Sequence, residues 1–104
     1  MHARLARYTF SGDAQELGQR AEAGLLPIFQ AQPGFKAYSV IETDGEIVSF
    51  SAWDTAEQAE AANAAAADWV AENMTDDIDL KEARFGEVLF STTLGISTKA
   101  GASV

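Results

Sequence analysis

Asn63 is a polar residue at an apolar place. It belongs to a stretch in which nine of the seventeen residues from Ala56 to Glu72 are alanine, the best helix former. At about 100° per residue it falls about 20° from Val70, inside the apolar arc formed by Ala59, Ala62, Ala66, Trp69, Val70 and Asn73. An unpaired buried amide costs on the order of 1–3 kcal/mol. Asn63 is therefore either satisfied by backbone or water, or it lines a cavity. The facing strand residues are also small. Ser49 and Ser51 alternate along one run that ends at Trp53, and alanines and serines cannot fill the gap between two layers as leucines would. The spacing predicts an apolar pocket bordered by Ser49, Ser51, Ala59 and Asn63, with Trp53 as an aromatic wall. The opposite reading is that Trp53 and Trp69 fill the gap themselves.

Other chemistry-bearing residues are sparse. The sequence has no cysteine, which removes disulfides, thiolate metal sites and thiol nucleophiles. The single histidine, His2, stands at the chain start, where solvation is the simplest expectation. Ser91, Thr92 and Thr93 consequently lack a base for serine-type catalysis. Asp76, Asp77 and Asp79 lack the glycine and distal glutamate of a calcium loop and read as a solvated connector. Glu57, Glu60 and Glu72 read as a solvated helix face. With a net charge of −9 over 104 residues, a phosphate backbone would be repelled, so nucleic acid is not an expected partner. No apolar run is long enough for a membrane span. The opening MHARLARYTF has no continuous apolar core of a signal peptide, and the expected location is the cytoplasm.

Six elements must position these residues. Residues 3–10 alternate and end at Ser11-Gly12, a strand. Asp13 then caps a helix, with Glu16 three residues on completing an acidic capping box. Its inner face is Leu17, Ala21, Gly24, Leu25 and Ile28. Pro27 is expected to kink it or loosen its last turn, and Gly24 either permits close approach or leaves room. The Gln32–Phe35 turn follows. Residues 35–42 and 47–53 form two strands joined through Asp44-Gly45, a strong hairpin signal. The second helix spans residues 55–73, an acidic connector 74–82, and a last strand 84–94. One domain, residues 1–94, is followed by a tail, 95–104. The order β-α-β-β-α-β is that of an α+β, ferredoxin-like fold, a four-stranded antiparallel sheet with two helices on one face. Val48, Phe50 and Ala52 then face away from Ile47, Ser49, Ser51 and Trp53, so neither sheet face is polar. An uncovered apolar face predicts a partner, most simply a second copy in a homodimer.

This order, together with the Pro33-Gly34-Phe35 turn, Trp53 closing the third strand before Asp54 and Thr55, and GEVLFS in the last strand, resembles the antibiotic biosynthesis monooxygenase superfamily over roughly residues 2–94. The resemblance implies a dimeric α+β barrel with a pocket between sheet and helices in each subunit. Haem-degrading members use an Asn on the first strand, the strand-ending Trp and a helix His ten residues later. Here Trp53 matches, but those other positions carry Ala6 and Asn63, so haem degradation is disfavoured. Quinone-forming members oxidise polycyclic phenols without metal or flavin, using Trp, Asn, Tyr and Arg. Trp53 again matches, whereas Ser49 and Ala59 stand at the expected Asn and Tyr positions.

Tyr8, Tyr38, Asn63 and Arg84 offer the same chemistry from other places. A deprotonated hydroquinone or anthrone can itself reduce dioxygen, so no cofactor and no metal are expected. In that scheme Trp53 stacks on the ring system, Asn63 hydrogen-bonds a developing enolate oxygen, and Tyr8 or Arg84 positions or stabilises the anion. The expected partner is a small aromatic molecule. The alternative, from a different class, is a non-catalytic small-molecule-binding or assembly module of the same fold.

Overall fold

The computed structural model describes residues 1–98 and contains the six elements in the expected order. They are β1 (His2–Phe10), α1 (Ala14–Gln30), β2 (Phe35–Thr43), β3 (Glu46–Trp53), α2 (Ala56–Asn73) and β4 (Ile78–Glu87). The strands form one antiparallel sheet in the order β2-β3-β1-β4, with the helices packed against one face. Among the described residues no helix is long and apolar enough to cross a membrane.

Local chemistry explains the joints. Asp44 and Gly45 both adopt positive φ, 51° and 78°, as a two-residue hairpin with the right-handed strand twist requires. Asp13 caps α1 by accepting from the Gln15 amide at 3.1 Å. The full capping box is at α2 instead. The Thr55 hydroxyl accepts from the Gln58 amide at 3.2 Å while the Gln58 side chain accepts from the Thr55 amide at 3.1 Å. The Pro33-Gly34-Phe35 turn is locked to this cap. The Gly34 carbonyl accepts from the Asp54 amide at 3.0 Å, and a Cβ on Gly34, whose φ is 79°, would collide with the Gln58 side chain.

Helix α1 runs through Pro27 to Gln30 and buries Leu17, Ala21, Leu25 and Phe29. Phe29 replaces the expected Ile28 as the last inward residue. It makes edge contacts with Trp53 (centroids 5.3 Å apart) and Tyr38 (4.6 Å), while Ile28 is only partly buried. Gly24 serves close approach: a Cβ there would overlap the indole of Trp69.

The last strand differs from expectation. β4 begins at Ile78, inside the supposed acidic connector, and ends at Glu87. A register shift opposite Arg7 and Tyr8, which pair with Glu82 and Leu80, leaves Lys81 as the extra residue. This bulge breaks the period of two, hiding a strand whose Ile78, Leu80 and Ala83 share the helix-covered face. Leu89 and Phe90 of the VLF run lie beyond the strand and are 69% and 70% exposed. Ser91 pairs with Ile96 in an isolated bridge; the expected tail beyond residue 98 lies outside the described residues.

Gly24→Ala must displace the Trp69 indole. The expected loss is about 1–3 kcal/mol, read by urea denaturation, and Gly18→Ala, where a Cβ meets nothing within 4 Å, is the control that should not destabilise.

Candidate functional site

The layers do not close. Between the sheet and both helices is a cavity of about 380 Å³. Its apolar wall comes from α1 (Leu17, Ala21, Leu25, Phe29), α2 (Ala66, Val70) and β4 (Ile78, Leu80, Ala83). Its polar groups are Arg4 and Tyr8 of β1, Tyr38 of β2, Ser49 and Ser51 of β3, Asn63 of α2, and Thr75 and Asp79 beyond α2. The alternation of β1 turns Arg4 and Tyr8 to one face. Ser49 and Ser51 lie beside them through the register pairs Ala6↔Ser49 and Arg4↔Ser51.

Five of the eight residues singled out by type and spacing line this cavity: Tyr8, Tyr38, Ser49, Ser51 and Asn63. Asn63 is half-buried, and its side chain has no hydrogen-bond partner among the described residues. The other three do not line it. Trp53 is fully buried at 0% exposure, wedged against Phe29 and Phe35. Its indole N–H donates to the Ser51 hydroxyl at 3.0 Å, so it stands behind the wall and cannot stack on an occupant. Ala59, also at 0%, belongs to the same core. Arg84 pairs in register with Leu5, on the opposite sheet face, where its side chain is 76% exposed and lies 3.5 Å from Glu82. Of the acidic connector, Asp77 binds Arg20 at 2.9 Å and Asp79 binds Lys81 at 2.7 Å. Among the described residues no group of three metal-ligating side chains occurs.

Arg4 was not among those eight. It is only 7% exposed, donates from Nη2 to the Tyr8 hydroxyl at 3.2 Å, and leaves Nε without a partner. Its signal was present in the alternation of β1, where Arg4, Ala6 and Tyr8 must share a face; that segment had been read for its lack of a continuous apolar core. Tyr38 is also chemically marked. Burial, reinforced by Tyr8 and opposed by Arg4, pushes its phenol up to about 12, so it remains a neutral hydroxyl at any ordinary pH.

No protein-family model and no curated protein matches the sequence. Solved structures do match in fold. SnoaB, a cofactor-independent oxygenase from Streptomyces nogalater, superposes with a TM-score of 0.69 at 18% identity, covering 88% of this chain and 95% of that one. The chain has the fold of this oxygenase. A candidate antibiotic biosynthesis monooxygenase from Nitrosomonas europaea gives 0.61 at 17% identity, covering 86% and 100%. Rv0793 from Mycobacterium tuberculosis gives 0.62 at 17%, covering 88% and 97%. The single-chain ferredoxin-like fold expected from the element order is thus present, at identities where the site residues must be judged on their own geometry.

Two measurements test these placements. Trp53→Ala should cost about 3–5 kcal/mol, the usual loss for a buried aromatic, in unfolding without any ligand. For Tyr38 the folded pKa lies above the ordinary 10.0, so its contribution to stability is complete below pH 10 and lost as pH rises through about 12. Tyr38→Phe should flatten that part of the alkaline unfolding profile; an unchanged profile would contradict the burial of the phenol.

Proposed function

We propose that this protein is a member of the antibiotic biosynthesis monooxygenase superfamily and a cofactor-independent monooxygenase, oxidising an electron-rich polycyclic or phenolic substrate with dioxygen. The observation that carries the reading is the interlayer cavity of about 380 Å³, within the roughly 300–1,000 Å³ typical of small-molecule sites, in a fold shared with SnoaB. Its wall is mostly apolar, with few convergent hydroxyl and amide groups.

The chemistry balances without a further reductant. An anthrone-like substrate loses a proton, and its anion passes one electron to dioxygen. Recombination of the resulting pair forms a C–O bond and a hydroperoxide. Loss of water then leaves the quinone carbonyl, one oxygen atom going to product and the other to water. The protein has to bind the ring system, stabilise the anion and keep bulk water out. The unpaired amide of Asn63 supplies a donor to the developing enolate oxygen, and the Tyr8 hydroxyl, tied to Arg4, a second polar contact.

The expected assembly is a homodimer. Leu5 and Ile41 are exposed, and Val48 and Phe50 half-exposed, on the sheet face away from the helices; a second copy is the simplest cover for such a face. The cytoplasm is the proposed location. A binding module without turnover is favoured by one specific observation: Ser49 and Ala59 stand where the resemblance places a catalytic Asn and Tyr, and Ala59 does not reach the cavity.

Oxygen uptake in the presence of an anthrone decides between the two. The oxygenase reading expects uptake with one equivalent of quinone formed, and Asn63→Ala should lower kcat on the order of 10²-fold, the usual cost of an oxyanion donor. Saturable binding of the anthrone with no uptake would leave the binding module. Light scattering should give twice the chain mass, and haemin should produce no tetrapyrrole cleavage, because Asn63 stands where an imidazole ligand would be needed.

A further inference from the structure

Arg4 carries a charge that the fold leaves unanswered. Every other lysine and arginine side chain among the described residues lies within 3.5 Å of a carboxylate: Arg7 of Glu46, Arg20 of Asp77, Lys36 of Asp54, Lys81 of Asp79 and Arg84 of Glu82. All five of those cations are substantially exposed. Arg4 is the reverse, 7% exposed and with no carboxylate within 4 Å of its nitrogens. Its one hydrogen bond goes to a neutral hydroxyl, that of Tyr8, and its Nε is buried with no acceptor. Burying a guanidinium without a counter-ion is among the most unfavourable placements available to a side chain. The same fork of N–H groups is the best protein match to the paired oxygens of a carboxylate.

The cavity supplies the rest of the description. Arg4 lines it together with Leu17, Leu25, Phe29, Val70 and Ile78, and the one carboxylate at the wall, Asp79, is paired with Lys81, so an occupant meets one cation without a carboxylate partner in a mostly apolar surround with a few hydroxyl and amide groups. We infer that the ligand of this cavity is an anionic aromatic molecule, whose oxyanion pairs with the Arg4 guanidinium while its ring system fills the space between the layers. This deepens the proposed function by fixing the charge of the substrate, and it rests on the cavity being the ligand site. The oxyanion can be a carboxylate or an ionised phenol; both place charged oxygen against the guanidinium.

Calorimetric titration tests the inference apart from oxygen chemistry. Anthraquinone-2-carboxylate and its neutral carboxamide have the same ring frame, and the protein should bind the carboxylate at least about tenfold more tightly. That preference runs against a chain of net charge −9. It should also survive about 0.5 M sodium chloride, since a buried pair is little screened. In Arg4→Met the preference should vanish, with carboxamide affinity held within about threefold and the melting temperature equal or raised, because an unpaired buried charge has been replaced by an apolar side chain of similar length. A second arm uses 1,2-dihydroxyanthraquinone, whose ionisation changes its colour. Binding as the coloured anion at a pH where the free dye is neutral identifies phenolate as the preferred source. Equal affinity of the unaltered protein for carboxylate and carboxamide, with the dye bound neutral, overturns the inference whether or not Arg4→Met folds; so does a preference that persists in that variant. Anion preference without oxygen uptake from any anthrone would retain the ligand assignment and remove the oxygenase.

Discussion

The edge contact of Phe29 with Trp53, ring centroids 5.3 Å apart and planes at 89°, joins the last turn of α1 to the last residue of β3. Phe35 and Tyr38 complete the cluster from β2. Large rings here keep the layers apart, while the residues of α2 that face the sheet are Ala59, Ala62 and Ala66. Side chains as small as these cannot span a gap set by aromatic rings. Around Trp53, Ala59 and Ala62 the core is solid. Farther along, toward Leu17, Met74 and Ile78, the same separation leaves the cavity. The closeness of Gly24 to Trp69 brings the two helices together, and the unfilled volume lies between them and the sheet.

Trp53 therefore supports the cavity wall without lining it. Its N–H satisfies the Ser51 hydroxyl, fixing one of the few polar groups on the cavity wall. The cost of removing the ring would consequently be spread over the Phe29 contact, the Ser51 orientation and the layer separation, and a fall in activity on its loss would not by itself indicate ring stacking. Asn63 and Tyr8, which do reach the cavity, are the informative positions.

Much of this was legible in the sequence because it depends on local rules. Asp44-Gly45 marks a hairpin since few residues accept two successive positive φ values, and the buried arc of α2 follows from a period of 3.6. Asn63 was found because its type contradicted that arc. The failures have equally specific causes. β4 was displaced because the bulge at Lys81 breaks the alternation, and because the apolar Val88-Leu89-Phe90 run competed with a strand rich in charge. Arg84 was placed by type alone; its side is set by the register with Leu5, which depends on that same bulge. Trp53 was assigned to the pocket edge because periodicity gives a side chain's direction but not how deep its neighbours bury it. Arg4 was missed because the β1 segment was read for its lack of a continuous apolar core and not for the face on which its alternation puts each residue.

The polar groups of the cavity constrain any proton transfer within it. Tyr38 holds its proton up to about pH 12, which excludes it as a general base near neutrality and leaves it as a hydrogen-bond donor. Asp79, the one carboxylate at the cavity, is paired with Lys81. For the proposed substrate, which must lose a proton, no unpaired carboxylate stands at the cavity as a base, and Arg4 is the group placed to stabilise the anion, because a buried cation does so far more than water-exposed charge does. On the proposed reading, the site would favour ionised substrate by electrostatic complementarity rather than by an arranged base. Such an arrangement suits acids that ionise readily, phenols and anthrones among them, and it makes the unsatisfied guanidinium, unfavourable in the empty fold, the feature on which occupancy depends.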